Sequence, residues 1–341
     1  MHALPWHGRT MQHGGDLGEA MALFGGKRED WLDLSTGISP FPYPLRTLGA
    51  HLWTALPGRH ELDALLAAAR IAYRVPDSHD IVAAPGTQSL IQWIPRLAPR
   101  GGTVGVTEPT YAEHARAWQQ AGHETEVFRP GRPLAETIRH AVLVHPNNPD
   151  GRPVAPADAM LLASTLAERQ GWLVVDEAFI DTMPDASLTS ILQDLPAITL
   201  RSFGKFYGLA GLRLGFAIGP RALVAPLREA IGPWPVSGAA IQVATAALSD
   251  LAWAEAMRSR LAEEAEALDR VLLRYGFVVV GGTSLFRLAR IPRADSHAAL
   301  AGQRIWTRCF DWDPRLIRFG LPAGPGPRER LARILSELRH G

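Results

Sequence analysis

The residues best suited to chemistry lie in a glycine-rich segment around Lys205. The segment reads Ser202-Phe203-Gly204-Lys205 and continues to Arg213 and Gly215. A lysine among Phe, Gly, Leu and Ala is expected to be partly desolvated, which lowers an amine's pKa as a Schiff-base lysine requires. Ser202 and Arg213 can hold a phosphate, one through its hydroxyl and one through its guanidinium group. The alternative is a glycine-rich turn with a solvated lysine.

Asp176 is the second candidate, because it ends the apolar run Trp172–Asp176. Open parallel sheets bind ligands at the carboxyl ends of their strands, and a buried carboxylate needs a cationic or donor partner. A protonated pyridine nitrogen is such a partner, and the ion pair would keep the ring an effective electron sink. A helix N-cap and a magnesium site are the alternatives, although no nucleotide-binding loop accompanies the latter.

Two turns that follow strands add weaker signals. The turn from His145 to Gly151 contains Asn148, whose amide can donate to a phenolate oxygen. The turn Pro85-Gly86-Thr87-Gln88 joins a strand to a helix, where backbone N–H groups and the Thr87 hydroxyl suit a phosphate. An ordinary turn and a plain N-cap are the alternatives.

These motifs lie in a region where short apolar strands alternate with helical patterns, which predicts a mostly parallel sheet covered on both faces. The predicted strands are Ile81–Ala84, Thr103–Thr107, Glu124–Phe128, Ala141–His145, Trp172–Asp176, Ala197–Arg201 and Leu214–Ile218. The predicted helices between them are Thr87–Leu97, Ala112–Ala121 and Ala157–Gln170. We expect a large α/β domain over residues 45–231.

A smaller α+β domain is expected from the two ends of the chain, residues 1–44 plus 232–341. Helices are predicted at Gly238–Ser249 and Ala252–Tyr275, with an apolar stripe along the second. Strands near Phe277–Val280, Ser284–Leu288 and Leu316–Gly320 precede a closing helix that carries Leu331, Ile334, Leu335 and Leu338 in register.

Composition excludes several function classes. The 341 residues are 47% hydrophobic with a formal charge of +1, so no global field favours nucleic acid or an anionic membrane. One cysteine, Cys309, excludes an intrachain disulfide framework and a multi-cysteine metal site. No apolar run approaches membrane-spanning length. We therefore expect a soluble, cytoplasmic protein without a metal.

Taken in order, the four motifs resemble the class I/II aminotransferase superfamily, pyridoxal-phosphate enzymes of the aspartate aminotransferase fold (fold type I). The resemblance extends from Gly14 to Leu338. It implies an α/β fold with a large, mostly parallel sheet domain and a smaller α+β domain. It also implies pyridoxal 5'-phosphate as cofactor and a homodimer.

The resemblance assigns roles residue by residue. Lys205 matches the lysine that binds the cofactor covalently, and Asp176 matches the acid that pairs with the pyridine nitrogen. Asn148 matches the donor to the ring oxygen, and Tyr111 matches the aromatic that stacks on the ring. Arg318 matches the arginine that binds the substrate α-carboxylate. The positions that match the phosphate-binding cup are Ser202, Arg213, Gly86 and Thr87.

The N-terminal segment favours one branch of the superfamily. His13-Gly14-Gly15-Asp16-Leu17, followed by the segment from Leu32 to Pro42, is similar to the arm of threonine-phosphate decarboxylases of the cobalamin pathway. This similarity implies a small phosphorylated amino-acid substrate that loses its carboxylate. His13, with Gly14 beside it, is the first candidate to bind the substrate phosphate, and Arg152 is the second.

Three positions depart from the family pattern. Phe179 stands where many members have a tyrosine donor, Asp150 replaces the usual threonine of the Asn-Pro-Thr-Gly turn, and Leu56 replaces a tyrosine that reaches the other subunit. A histidinol-phosphate-type aminotransferase is the alternative enzyme, since its chemistry differs only in late steps. A pyridoxal-phosphate-binding protein without turnover is the other alternative, which the presence of both Lys205 and Arg318 disfavours.

Overall fold

A computed structural model of the protein describes residues 14–340, with side chains up to residue 338. The strands are β1 Leu32–Leu34, β2 His79–Ala84, β3 Thr103–Thr107, β4 Glu124–Phe128, β5 Ile138–Val144, β6 Leu173–Asp176, β7 Ala197–Ser202, β8 Gly215–Pro220, β9 Val278–Thr283, β10 Phe286–Arg290, β11 Ile305–Cys309 and β12 Leu316–Gly320. The helices are α1 Leu17–Phe24, α2 His51–Thr54, α3 Arg59–Ala72, α4 Thr87–Trp93, α5 Glu113–Gln120, α6 Pro156–Glu168, α7 Phe203–Phe206, α8 Arg221–Ile231, α9 Gly238–Ser249, α10 Leu251–Arg274, α11 Ser296–Gly302 and α12 Pro325–His340. Single 3₁₀ turns lie at Arg28–Asp30, Ile94–Leu97, Ile180–Thr182, Pro184–Ala186 and Ala210–Leu212.

The chain forms two compact units. The larger unit contains Pro42–Asn148 and Arg152–Ala256. The smaller unit contains the residues up to Phe41, Pro149–Gly151 and the residues from Met257 on. The domain limits from the sequence, 45–231 and 1–44 plus 232–341, stay predictions, because compactness and independent folding are different properties.

The larger unit contains a seven-stranded sheet in the order β2-β8-β7-β6-β5-β3-β4. The five strands from β7 to β4 run parallel, whereas β8 lies antiparallel between β7 and β2. Strands β6 and β7 are buried along their whole length, which explains why their sequences are apolar without alternation. The predicted mostly parallel α/β sheet is confirmed.

Helices cover both faces of this sheet. On one face, Leu90 of α4, Trp118 of α5 and Leu227 of α8 pack into a single apolar cluster. On the other face, Leu162 and Leu166 of α6 pack into a second cluster. The sequence analysis did not predict α3 or α8. Helix α3 packs mainly against α9, so its apolar stripe faces another helix instead of the sheet.

The smaller unit contains a five-stranded sheet in the order β1-β11-β12-β10-β9. Strand β1 is parallel to β11, and the other pairs are antiparallel. Strands β1 and β11 and helix α11 were not predicted from the sequence. Their shared core is aromatic: the rings of Trp31 and Trp306 meet edge to face with centroids 6.0 Å apart.

Within residues 14–340, no helix has the length and apolar character needed to cross a membrane.

Candidate active site

The carboxyl ends of the parallel strands bring the chemical motifs of the larger unit to one edge of the sheet. Strand register aligns Val144 of β5 with Asp176 of β6, and Asp176 with Leu200 of β7. The turn that follows β5, the carboxylate of Asp176 and the Ser202 segment therefore lie at the same edge. This is the edge at which open α/β sheets bind ligands.

Asp176 is buried, with 4% of its surface exposed, and accepts two hydrogen bonds. Its Oδ2 lies 2.8 Å from Nε2 of the buried His114, and its Oδ1 accepts from the backbone N–H of Ala178 at 3.0 Å. A carboxylate has lone pairs for further donors, so these bonds leave acceptor capacity. His114 was not predicted from the sequence. Its position three residues after Tyr111, near the start of a predicted helix, was a possible signal.

Lys205 lies in the short helix α7, directly after strand β7. Its side chain is half-buried, and Nζ lies 5.8 Å from the centroid of the Phe179 ring. The rings of Phe203 and Tyr207, two residues before and two after the lysine, stack with centroids 4.5 Å apart, and Tyr207 stacks in turn on Trp253. Buried aromatic residues thus flank Lys205 in the sequence, and the Phe179 ring lies near its amine.

The four residues predicted to bind a phosphate converge where β2 and β7 end and the antiparallel β8 begins. Gly215 pairs with both Ala84 and Ser202. A Cβ on Gly215 would lie 2.5 Å from the backbone nitrogen of Thr87, so the turn containing Gly86 and Thr87 packs directly on that strand.

Gly86 and Arg213 complete this arrangement. Gly86 has a φ of 84°, and a Cβ there would lie 2.7 Å from Nη2 of Arg213. Arg213 is exposed and adopts the left-handed conformation at the end of a 3₁₀ turn, with Nη1 donating to the Ala210 carbonyl. The Arg213 guanidinium group therefore lies against a turn whose positive φ at Gly86 favours glycine.

Tyr111 and Asn148 belong to two segments that hydrogen bonds tie together. Asn147, buried beside the half-buried Asn148, donates from Nδ2 to the Pro109 carbonyl at 2.9 Å. Its Oδ1 accepts from the Thr110 hydroxyl at 2.7 Å. The turn predicted to carry the ring-oxygen donor is thus bonded to the segment that carries Tyr111.

A buried ion cluster lies behind this edge and was missed in the sequence. Arg201, 1% exposed, pairs with Glu177 at 3.3 Å and with Asp181. Burial opposes its charge, but Asp181 and then Glu177 raise the pKa of the Arg201 guanidinium. The Glu177 carboxylate also accepts from the Leu188 backbone N–H. These bonds connect the strand before Lys205 to the segment after Asp176.

In the smaller unit, two arginines lie opposite each other on neighbouring strands. Arg318 of β12 is buried and pairs in register with Arg308 of β11. Burial, and then the charge of Arg308, lower the pKa of Arg318 to about 10. Directly opposed like charges destabilise an antiparallel pair, so a bound anion would stabilise this arrangement. Arg308 was missed because β11 was not recognised as a strand.

The segment Gly14-Gly15 lies on the residue that also contacts Arg318. The Ser35 carbonyl accepts from Nη2 of Arg318 at 2.9 Å, and the Ser35 hydroxyl accepts from the Gly15 N–H at 2.7 Å. A side chain at Gly14 would collide with that same carbonyl. The structure therefore brings Gly14 and Arg318 to the same residue of the smaller unit.

His13 and Arg152 are the two other candidates that the sequence offers for the substrate phosphate. His13 lies outside the described residues. Arg152 belongs to the larger unit, where its side chain is exposed and its carbonyl accepts from the Asn147 N–H at 2.9 Å. The assignment of these two residues to the substrate stays a prediction.

The three departures from the family pattern have different surroundings. Phe179 is buried near the Lys205 amine, and Asp150 accepts a backbone hydrogen bond from Gly282 at 2.8 Å. Leu56 is 67% exposed. Among the residues with described side chains, no group of three His, Cys, Asp or Glu is arranged to hold a metal.

The chain belongs to the family of class I and II aminotransferases: residues 49–323 match the sequence model of this family. A relative from Pseudomonas aeruginosa, named threonine-phosphate decarboxylase, is 43% identical over 94% of this chain and 96% of its own length. A relative of the same name from a Sinorhizobium species is 39% identical over 96% and 98%. The solved histidinol-phosphate aminotransferase from Clostridium acetobutylicum superposes with a TM-score of 0.78 at 18% identity, covering 90% of this chain and 98% of that one. The predicted family and fold are confirmed.

Proposed function

We propose that this protein uses pyridoxal 5'-phosphate to decarboxylate L-threonine O-3-phosphate to (R)-1-amino-2-propanol O-2-phosphate, a step of cobalamin biosynthesis. The observation that carries the proposal is the 43% identity, over nearly the whole chain, to a relative named threonine-phosphate decarboxylase. The histidinol-phosphate-type aminotransferase remains the second candidate, favoured by the likeness of the fold to a solved structure of that name.

The residues of the larger unit fit this cofactor. The turn at Gly86 has a φ that favours glycine and lies against the Arg213 guanidinium, and both features suit a phosphate-binding turn. The buried carboxylate of Asp176 retains acceptor capacity for a ring N–H. Lys205 is one of only two lysines in the chain, and the other, Lys27, is exposed in the smaller unit.

We assign the following work to these residues. Lys205 binds the cofactor and later carries a proton to the substrate Cα on its amine. Asp176, held by His114, keeps a proton on the ring nitrogen, and Asn148 donates to the ring oxygen. Bound pyridoxal phosphate supplies an electron sink for the pair released from a broken Cα bond. Ser202, Arg213, Gly86 and Thr87 hold its phosphate.

The arginine pair of the smaller unit supports a substrate with two anionic groups. Arg318 binds the α-carboxylate in this proposal, and Arg308 supplies a second cation for the substrate phosphate. A substrate held at two charged ends has a defined rotation about its Cα bonds, which selects the bond that breaks. Histidinol phosphate has no carboxylate, so it would use this pair differently.

The proposed enzyme is a homodimer located in the cytoplasm. Exposed large apolar side chains of the larger unit, including Trp53, Leu56 and Trp234, support an interface. A composition with a single cysteine is typical of a reducing compartment. Sedimentation equilibrium of the purified protein tests the dimer: a single species of twice the 37.1 kDa chain mass is expected.

The test of function is product analysis with purified protein, pyridoxal phosphate and L-threonine O-3-phosphate, without a keto acid. Carbon dioxide and aminopropanol phosphate in equal amounts over many turnovers are expected. Formation of glutamate from 2-oxoglutarate and histidinol phosphate, with no carbon dioxide from the first substrate, would favour the aminotransferase instead.

Borohydride reduction tests the site separately from turnover. Reduction of the loaded protein followed by peptide mass analysis should place the cofactor on Lys205 and leave Lys27 unmodified. The Lys205→Ala variant should lose the visible absorbance of the lysine-bound cofactor. Persistence of that absorbance would contradict the assignment, and binding without any turnover would favour the non-catalytic alternative.

A further inference from the structure

Gln88 connects the phosphate-binding turn to the aromatic residue Tyr111. It follows Thr87 in the first turn of α4. Its Nε2 donates to Oε2 of Glu113 at 2.9 Å, and its Oε1 accepts from the Tyr111 hydroxyl at 3.1 Å. One side-chain amide thus bridges two residues that lie 23 and 25 positions further along the chain.

The direction of both hydrogen bonds follows from the chemistry of the three groups. A carboxylate only accepts, so the amide nitrogen of Gln88 must face Glu113 and the amide oxygen must face Tyr111. The buried Glu113 is held in turn by Arg116, whose Nη1 lies 3.2 Å from its Oε1. A flipped Gln88 amide would set oxygen against oxygen, so Tyr111 has to act as the donor.

Two contacts together define the orientation of the Tyr111 ring. The hydroxyl lies on the axis from Cβ to the oxygen, so the bond to Gln88 sets the direction of that axis but not rotation about it. The ring of His114 meets the Tyr111 ring edge to face, with centroids 6.0 Å apart and an interplanar angle of 85°. This contact opposes rotation, and His114 is itself bonded to Asp176.

We infer that Gln88 is a positioning residue for the cofactor, acting through Tyr111. The inference rests on the proposed function, because it takes Tyr111 as the side chain that stacks on the pyridoxal ring. Stacking depends on the angle and offset of the two rings, so a fixed phenol axis favours the bound geometry before the cofactor arrives. Gln88 therefore contributes to cofactor affinity through the hydrogen bond that it accepts.

A double-mutant cycle tests this inference. Gln88→Met keeps the side-chain length but removes both hydrogen bonds, and Tyr111→Phe removes only the hydroxyl. The dissociation constant of pyridoxal phosphate from the full-length protein is measured by fluorescence titration for the wild type, both single variants and the double variant. We expect Gln88→Met to raise it about three- to tenfold with Tyr111 present, and clearly less with Phe at that position.

A spectroscopic signature and a control separate positioning from general damage. The visible circular dichroism of the bound cofactor should weaken in Gln88→Met. The substitution should change the melting temperature of the cofactor-free protein by less than pyridoxal phosphate raises that of the wild type. Gln119→Met, which removes an exposed bond from Gln119 to Thr125 at the other end of α5, should leave the dissociation constant within about twofold.

Equal losses from Gln88→Met in both backgrounds would overturn the inference, because Gln88 would then not act through Tyr111. If Gln88→Met fails to fold, Glu113→Ala provides the second route, since it releases the Gln88 amide without changing it. A Tyr111-dependent loss is expected there too, and its absence contradicts the inference. Failure of the wild-type protein to bind pyridoxal phosphate would instead contradict the proposed function.

Discussion

The larger unit surrounds its buried charges with partners of its own, whereas the smaller unit sets two arginines against each other. Arg201 lies between two carboxylates, and their proximity raises the pKa of its guanidinium. Arg318 is also buried, but burial and the neighbouring Arg308 lower its pKa to about 10. The first arrangement joins charges of opposite sign, and the second sets two cations in register on neighbouring strands.

This difference matches the two kinds of molecule in the proposed reaction. A cofactor that stays bound needs a rigid frame, which the Arg201 cluster and the Asp176–His114 bond supply. A substrate with a carboxylate and a phosphate would bring negative charge to the two arginines. Substitution in the Arg201 cluster should therefore lower stability, whereas substitution of Arg308 should weaken substrate binding.

The largest effect is expected at the buried ion cluster. Arg201→Met removes the cation and leaves Glu177 and Asp181 buried, so the free energy of unfolding should fall by about 3–5 kcal/mol. Urea denaturation measures this change. The matched control is Arg228→Met, which removes a partly exposed pair with Asp80 and should cost less than about 1 kcal/mol. Similar losses of unfolding free energy in both variants would show that the buried cluster does not stabilise the larger unit more than an exposed ion pair does.

A smaller effect, on binding alone, is expected in the arginine pair. Arg308→Met should raise KM for the phosphorylated substrate about 30- to 100-fold, the equivalent of a lost charged hydrogen bond of about 2–3 kcal/mol. Unfolding should become no easier, because the like-charge repulsion on Arg318 is removed.

Steady-state kinetics and urea denaturation measure the two properties. Arg290→Met, on strand β10 of the same sheet, is the control and should change neither strongly. If Arg308→Met instead lowered stability and left KM unchanged, Arg308 would have a structural role like that of Arg201, and the contrast between the two units would be wrong.

Acid should weaken both units in the same way, because each contains a buried neutral histidine. Burial lowers the pKa of His140 in the larger unit and of His297 in the smaller unit to about 4. Both values lie below the ordinary 6.5, so the stability is present above pH 6.5 and is lost as pH falls towards 4. Each histidine contributes up to about 1.4 kcal/mol per pH unit to that slope.

Urea denaturation between pH 7 and pH 5 measures this dependence. His140→Phe and His297→Phe should each flatten the slope by up to one proton. An unchanged slope in one variant would show that its histidine does not contribute to the acid sensitivity.

The smallest effect is expected at the glycine turn. Gly86→Ala forces a side chain into a φ of 84° and against the Arg213 guanidinium, so unfolding should become easier by about 1 kcal/mol. Pyridoxal phosphate should also bind more weakly. Gly211→Ala, where a Cβ would meet nothing within 4 Å, is the control. Equal effects of the two alanines would argue against a phosphate-binding turn at Gly86.

Several elements of the fold were predictable from the sequence. Strands β3 and β4 and helix α9 have the predicted bounds. Strand β1 has only three residues, and the polar Thr307 and Arg308 interrupt the apolar residues of β11, so neither strand was recognised. Arg308 was missed for the same reason, because the neighbour of a residue in a sheet is unknown until its strand is assigned.

The chemical groups of the site were readable from local sequence. Lys205, Asp176 and the Gly86-Thr87 turn are each recognisable within a few residues, because their chemistry needs particular neighbours such as glycine turns and strand ends. The same local patterns carry the resemblance to the family, which the family match confirms.

The partners of these groups came from the folded chain alone. His114 lies 62 positions from Asp176, and Gln88 lies 23 from Tyr111, so no local pattern connects them. Strand order and register bring such residues together, and both depend on the packing of the whole sheet. Side-chain identity is a property of the sequence, whereas the distance between two side chains is a property of the packed core.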